Sequence, residues 1–120
     1  MSEEAGKTLA ADFFDGLPEV IRIGPFDIAI LVKGKINDDD DEGTYSHGVA
    51  IELRSNQPNA TFALDTLLHE INHGIYRTFG LDDKSSEESI VATMATGWTM
   101  IYRDNPTLIA WMCRMALPLK

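Results

Sequence analysis

The sequence predicts one α+β domain, in which a small antiparallel sheet of about three strands packs against three helices. Short segments rich in β-branched residues come first in the chain, and three helical segments follow them. Runs of strands followed by runs of helices are typical of α+β folds. The 120 residues contain no internal repeat and no linker-like stretch. We therefore expect a single domain over residues 1–120.

The N-terminal third of the chain is predicted to supply two strands. The first 16 residues carry weak signals, and we expect a loosely ordered segment there. Strands are predicted over residues 17–24 and 26–35, on either side of the turn at Gly24-Pro25. A third strand is predicted further on, over residues 48–54, where apolar residues occupy alternate positions.

An acidic stretch separates the second strand from the third. Residues 37–43 read NDDDDEG, and such a run of like charges favours a solvated loop. A calcium loop starting at Asp38 would have its glycine at Gly43, as required, but its closing carboxylate would fall at Val49. We therefore predict a loop that is not a calcium site.

Three helices are predicted in the second half of the chain. The first covers residues 60–79 and ends at Gly80, which suits a left-handed cap. The second is capped by Ser85 or Ser86, and the third begins at Pro106.

Composition excludes several classes of function. Ten basic and nineteen acidic residues give a net charge of −9, which repels nucleic acids and anionic membranes. No apolar run reaches the roughly 18 residues of a membrane span. The single cysteine, Cys113, cannot form an intramolecular disulfide. We expect a cytoplasmic protein with no nucleic-acid partner, and the oligomeric state stays open.

The first predicted helix carries the pattern His69-Glu70-Ile71-Asn72-His73. Two histidines four positions apart project from one face of a helix, so both imidazoles can bind one Zn²⁺ ion. In this pattern the glutamate between them acts as the general base toward the zinc-bound water. The sequence thus predicts His69 and His73 as metal ligands and Glu70 as the catalytic residue. The alternative is a chance pair of surface histidines.

A catalytic zinc ion needs a third protein ligand. The remaining histidine, His47, lies upstream, and no histidine follows the pattern. Glu87 and Glu88 begin the next helix and could swing back toward the histidines. Each also has a structural interpretation: Glu88 could close a capping box with Ser85, and Glu87 could stabilise the helix N-terminus by its charge. The residues alone do not choose between them.

The segment Thr66–Gly74 resembles the active-site helix of short phage and bacterial metallopeptidases of the ImmA/IrrE-like type. In that family a second helix carries a glutamate ligand, and its pattern of small and apolar residues starts here at Glu88, with Val91, Met94 and Ala95 matching it. The family usually has Asn or Asp where this chain has Ala92. The resemblance covers residues 48–111 and implies a minimal zincin-like fold of the Glu-zincin type. It also implies Glu88 as the third ligand, with Glu87 as the alternative.

These observations predict zinc-dependent hydrolysis of peptide bonds, with a protein or peptide as substrate. An alternative is a metal-bound module, of a kind that a phage could encode, that recognises another protein without cutting it. A DNA-dependent repair protease of the SprT-like type is disfavoured by the acidic charge and by the lack of a basic extension. The substrate and the cleavage preference cannot be read from the sequence.

Overall fold

A computed structural model describes residues 12–34, 36 and 41–117. A short 3₁₀ turn at Asp12–Phe14 comes first, and most of the predicted loose N-terminal segment lies outside the described residues. The strands are β1 (Val20–Ile23), β2 (Phe26–Lys33), β3 (Gly43–Ser46) and β4 (Ala50–Arg54). The helices are α1 (Ala60–Thr78), α2 (Glu87–Asp104) and α3 (Pro106–Ala116). The predicted α+β class is confirmed. None of the described helices is long and apolar enough to cross a membrane.

The sheet differs from the predicted one in strand number and in direction. It has four strands in the order β1-β2-β4-β3, and β2 and β4 run parallel while the other two pairs are antiparallel. The missed strand, β3, begins at Gly43, which we had assigned to the acidic loop. Its four residues are all partly or fully exposed, so its sequence lacks the alternation of apolar and polar residues that predicts a half-buried strand. Residues 41 and 42 of that predicted loop precede the strand, and residues 37–40 lie outside the described residues.

The parallel pair arises because β3 and β4 join the sheet as a hairpin. β4 lies beside β2, which leaves β3 at the edge of the sheet. Local periodicity reports which face of a strand is buried but not which neighbour it pairs with. The prediction of an antiparallel sheet was therefore wrong for the β2–β4 pair alone, and both of these strands were predicted.

The core lies between one face of the sheet and the helices. Six strand residues on that face are buried, namely Ile21, Ile23, Ile28, Ile30, Ile51 and Leu53. Trp111 of α3 is fully buried and stacks on Phe14, with ring centroids 5.8 Å apart. Its indole Nε1 donates a hydrogen bond to the Phe13 carbonyl at 2.8 Å, which satisfies the polar atom of the ring. This contact attaches the N-terminal turn to the last helix.

Asn105 ties the junction of α2 and α3 to the first strand. Its side-chain Oδ1 accepts a hydrogen bond from the Arg22 backbone N–H at 2.7 Å. Its Nδ2 donates to the Arg22 carbonyl at 2.9 Å and to the Ile101 carbonyl at 3.1 Å. The residue is 8% exposed, so these bonds satisfy an amide that burial would otherwise penalise.

α1 begins and ends close to the predicted residues, and its stop at Gly80 is the predicted one. At its start Asn59, for which no role was predicted, caps the N-terminus by accepting a hydrogen bond from the Phe62 N–H at 2.8 Å. Gly80 has a φ of +80°, and the N–H of Leu81 bonds to the carbonyl of Tyr76 at 3.0 Å, which is the pattern of a Schellman cap. Local hydrogen bonds therefore define both ends of α1.

Close packing of α1 and α2 depends on Gly97. A Cβ atom at this position would lie 2.5 Å from Cγ2 of the buried Ile75. We expect Gly97→Val to lower the free energy of unfolding by about 1–3 kcal/mol through overpacking, as measured by urea denaturation. Gly34→Val is the control, because no atom of the described residues lies within 4 Å of its added Cβ and its backbone is outside the left-handed region. Equal effects of the two substitutions would contradict this account of the interface.

Candidate metal centre and its cleft

His69 and His73 lie on the exposed side of α1, and their rings converge. The two Nε2 atoms are 3.2 Å apart, with the ring planes at 77°. Two nitrogens that each lie about 2.0–2.1 Å from one tetrahedral zinc ion are separated by about 3.3–3.4 Å. The same distance also suits a hydrogen bond between the rings, depending on their tautomers. The imidazoles are thus already spaced as two ligands of one metal ion.

Glu70 points to a different side of the helix and is only 6% exposed. It lies beneath the start of β3, where Gly43 passes over α1. A Cβ atom on Gly43 would lie 3.2 Å from Cγ of Glu70 and 3.0 Å from Cγ2 of Thr66. The absence of a side chain at Gly43 therefore lets the edge strand cover the carboxylate-bearing turn of α1.

Burial raises the pKa of the Glu70 carboxyl above its ordinary value. Positive charge on His69 and His73 opposes this shift, while the negative charge of Asp41 adds to it. A carboxylate with a raised pKa is a better proton acceptor than an ordinary surface glutamate. The position of Glu70 thus suits a general base.

A polar cleft of about 360 Å³ lies beside the imidazoles. Its walls come from the start of β3 and from one face of α1. The lining residues are Asp41, Gly43, Thr44, Tyr45, His69, Glu70, His73 and Arg77. The two imidazoles and the Glu70 carboxylate therefore line one cleft beside the edge strand β3.

An apolar groove of about 320 Å³ lies on the other side of the two imidazoles, toward α2. From α1 it is lined by His69, Asn72, His73 and Tyr76, and from α2 by Ile90 and Met94. Trp98 of α2 donates a hydrogen bond from Nε1 to Oδ1 of Asn72 at 2.9 Å, close to the groove. The histidines thus border a polar space on the sheet side and an apolar space on the helix side.

His69, Glu70 and His73 line one cleft. Neither glutamate predicted as the third metal ligand lies with them. Glu87 and Glu88 are exposed at the start of α2. Within the described residues, no set of three His, Cys, Asp or Glu side chains is close enough to hold a metal ion. The third ligand therefore stays a prediction, for Glu88 and for Glu87 alike.

The first turn of α2 borders the histidines, although its glutamates do not join them. Ile90, in that turn, lines the apolar groove together with His69 and His73. Glu87 lies about one helical turn before Ile90 and shares its side of α2, whereas Glu88 is rotated by about 200° from Ile90. Both glutamates are exposed, and neither completes a set of three metal donors with the two imidazoles.

The capping interpretation of Glu88 can be assessed as well. Ser86 caps α2, and its hydroxyl accepts a hydrogen bond from the Ser89 N–H at 3.1 Å. The Ser85 hydroxyl instead accepts from the N–H of Asp82 at 3.0 Å. The predicted alternative, a capping box between Ser85 and Glu88, is therefore not formed.

The His47 side chain contacts two nearby aromatic residues, Tyr45 and Phe26. Its Nδ1 is 2.9 Å from the hydroxyl of Tyr45, and its ring meets that of Phe26 edge-on. The Tyr45 hydroxyl also accepts a hydrogen bond from the Gly48 N–H at 3.2 Å. His47 does not line the polar cleft, and these contacts hold the turn between β3 and β4.

Sequence reasoning missed Gln57, which joins three parts of the site. Its Nε2 donates hydrogen bonds to the carbonyls of Arg54, at 2.7 Å, and Glu42, at 3.3 Å. Its Oε1 accepts from the hydroxyl of Thr66 at 3.2 Å. Gln57 lies between the predicted third strand and the first predicted helix, and no sequence pattern marks a buried amide of this kind.

Two residues of the cleft were also missed as site residues. Arg77 could have been found, since it lies one helical turn after His73 and so shares its face. Asp41 gave no such signal, because it belongs to a run of similar acidic residues in a predicted loop.

Comparisons with protein-family models, with curated proteins and with solved structures find no match to this chain. The resemblance to ImmA/IrrE-like metallopeptidases therefore rests on the residues quoted for it and on no further relative.

The Gln57 bridge gives a test of how the site is held together. We expect Gln57→Ala to lower the free energy of unfolding by about 1–3 kcal/mol, because it removes bonds to buried polar groups. Asn56→Ala is the matched control, since Asn56 is the exposed neighbour and should change stability by less than about 0.5 kcal/mol. Urea denaturation of both variants measures the difference. A loss no larger than that of the control would show that Gln57 is not a structural bridge.

Proposed function

We propose that this protein hydrolyses peptide bonds with a zinc ion held by His69 and His73 and with Glu70 as general base. The observation that carries the proposal is the pair of Nε2 atoms 3.2 Å apart, beside a carboxylate that is 6% exposed. A chance pair of surface histidines would not require a buried acid next to it. The same cleft contains all three side chains.

Each residue has a separate task in this mechanism. The two imidazoles bind zinc through Nε2, and bound zinc supplies a Lewis acid that lowers the pKa of water from 15.7 to about 7. The Glu70 carboxylate accepts a proton from the attacking water and can return it to the departing amine nitrogen. Burial of Glu70 under β3 fixes its carboxylate with respect to the imidazoles on the same helical turn.

The surroundings of the site suit an extended polypeptide as substrate. β3 is the terminal strand of the four-stranded sheet, and its residues Thr44 and Tyr45 line the cleft. An edge strand can pair with an extended peptide through backbone hydrogen bonds. The groove beside Ile90 and Met94 offers an apolar site for a substrate side chain. The net charge of −9 favours a protein or peptide over a nucleic acid.

The resemblance to ImmA/IrrE-like Glu-zincins supports the same reaction, and the single cysteine is consistent with a cytoplasmic setting. If the chain is phage-encoded, this would be the cytoplasm of the host.

A second candidate is a metal-bound interaction module that does not cut its partner. It is favoured by one observation: no third metal-binding side chain is grouped with the two imidazoles in residues 12–34, 36 and 41–117. The two proposals share the zinc ion and differ in turnover. The test of Glu70 below therefore separates them.

The zinc site predicts a stoichiometry of one ion per chain. We expect His69→Ala to lose stoichiometric zinc, because one remaining imidazole cannot hold the ion alone. Elemental analysis of the purified protein measures this. His47→Ala is the control and should keep its zinc, since the His47 side chain does not line the cleft. Full zinc content in His69→Ala would place the metal elsewhere.

The role of Glu70 predicts that Glu70→Gln keeps zinc and loses hydrolysis. Glutamine preserves the shape of the side chain but cannot accept the proton, and loss of a general base costs about 10²–10⁴-fold in rate. Cleavage of a mixed peptide library, with and without chelator, gives the comparison.

Glu19→Gln is the matched control for this experiment, because Glu19 is exposed just before β1, does not line the cleft and should not affect turnover. Equal cleavage by Glu70→Gln and wild type would rule out Glu70 as the base. Zinc binding without chelator-sensitive cleavage in the wild type would favour the interaction module.

A further inference from the structure

The apolar groove between α1 and α2 lies between two facing rows of side chains. The row on α1 has residues three or four positions apart, namely His69, Asn72, His73 and Tyr76. The row on α2 consists of Ile90 and Met94, which are one turn apart, and Ile90 is 37% exposed. The groove thus offers exposed apolar surface directly beside the two imidazoles.

Asn72 supplies this groove with a hydrogen-bond donor whose orientation follows from one contact. The indole Nε1 of Trp98 can only donate, and it lies 2.9 Å from Oδ1 of Asn72. The oxygen of the amide is therefore the atom turned toward Trp98. The amide nitrogen, Nδ2, has no hydrogen-bond acceptor among residues 12–34, 36 and 41–117. Its two N–H groups are thus available to a bound molecule beside the imidazoles.

We propose that the groove binds a large apolar side chain of the substrate, and that Asn72 donates a hydrogen bond from Nδ2 to a backbone carbonyl of the same stretch of peptide. This inference rests on the proposed function and names its substrate class, which is peptides with a large apolar residue next to the scissile bond. Trp98 is a positioning residue in this arrangement, because it holds the amide of Asn72 and does not itself line the groove.

The residues of the groove favour an apolar side chain over a charged one. None of the described residues that line it is an Asp, Glu, Lys or Arg, so a charged side chain would lose water without gaining an oppositely charged partner. Methionine adapts to different shapes, so Met94 favours a class of large apolar residues over one particular residue. The volume of about 320 Å³ suits a side chain with its adjoining backbone, since pockets for whole small molecules reach about 1,000 Å³.

The amide of Asn72 gives the bound peptide an orientation. Binding pockets are lined mainly by apolar groups, with a few polar groups that fix how the ligand lies. A backbone carbonyl that accepts a hydrogen bond from Nδ2 stays satisfied when the neighbouring side chain leaves water. The same two imidazoles also border the polar cleft that contains Glu70. A side chain held in the groove therefore brings a neighbouring peptide bond close to the proposed base.

Binding of a peptide series tests the groove without requiring cleavage. The probe is a capped, fluorescently labelled Ala/Gly peptide with one central guest residue, which is Leu, Phe, Ala, Asp or Lys. Its affinity for the zinc-loaded Glu70→Gln protein is measured by fluorescence polarisation. We expect the Leu and Phe peptides to bind at least about 10-fold more tightly than the others, because one methylene in a hydrophobic pocket already discriminates about 10–200-fold. Equal affinity for all guests would overturn the proposal.

Ile90→Asp and Val91→Asp, made in the same Glu70→Gln background, form a matched pair. Both residues are exposed and apolar, at 37% and 55%, but only Ile90 lines the groove. Both substitutions put a carboxylate near the N-terminus of α2, where negative charge is favourable. We expect Ile90→Asp to weaken binding of the Leu and Phe peptides at least about 10-fold, and Val91→Asp to leave it unchanged. Equal losses in the two variants would place the binding site elsewhere and overturn the proposal.

Two further variants separate the donor role of Asn72 from its bond to Trp98. Asn72→Leu and Trp98→Phe both remove the hydrogen bond between the helices, but only Asn72→Leu removes the Nδ2 donor. We expect Asn72→Leu to weaken binding of the Leu peptide about 3–10-fold more than Trp98→Phe does, which is the usual effect of one hydrogen bond. Equal losses of peptide affinity would assign Asn72 a structural role alone. Urea denaturation shows whether both variants fold.

Cleavage of the same peptides by the wild type separates this inference from the proposed function. Cleavage with no preference for Leu or Phe would overturn the inference and leave the hydrolysis standing. Binding with the expected preference, but without chelator-sensitive cleavage, would support the groove and contradict the hydrolysis. Binding of no peptide by the zinc-loaded protein would overturn the inference whatever the wild type cleaves.

Discussion

The candidate site depends on one close contact, the crossing of the edge strand β3 over helix α1. Glycines allow it from both sides. A Cβ atom on Gly43 would press on Thr66 and Glu70, and one on Gly74 would lie 2.7 Å from Ile23 and 3.2 Å from Tyr45. With no side chains between them, strand and helix enclose Glu70 and form two walls of one cleft. A larger residue at either glycine would push the walls apart.

This crossing lets neighbouring residues of one helix take opposite environments. Successive residues of an α-helix are rotated by about 100°, so His69 and Glu70 point in different directions. The histidine faces solvent, while the glutamate faces β3 and is buried. Zinc chemistry needs both conditions, because the metal must be reached by substrate and the base must have a raised affinity for a proton. The spacing of the residues in the sequence fixes only the directions in which His69 and Glu70 point. The burial of Glu70 comes from the edge strand β3.

The sequence predicted those parts of the molecule whose signals are local. The end of α1 follows from Gly80, and the convergence of His69 and His73 follows from their spacing. The features it missed depend on contacts between distant segments. The parallel pairing of β2 and β4 is one example. The buried bridge at Gln57 is another, since it joins residues 42, 54 and 66 across the fold.

The third metal ligand shows the same limit most clearly. A pattern along a helix is visible in a sequence, and the resemblance drawn from it points to Glu88, with Glu87 as the alternative. Which side of α2 faces the histidines is not visible there, because it depends on how the two helices cross, through Trp98 on Asn72 and the packing around Gly97. In the structure Ile90, from the first turn of α2, lines the groove beside the histidines, and the side of the helix that Ile90 occupies is shared by Glu87 and not by Glu88. The charge of both glutamates also stabilises the N-terminus of α2, so their presence there does not by itself require a metal ion.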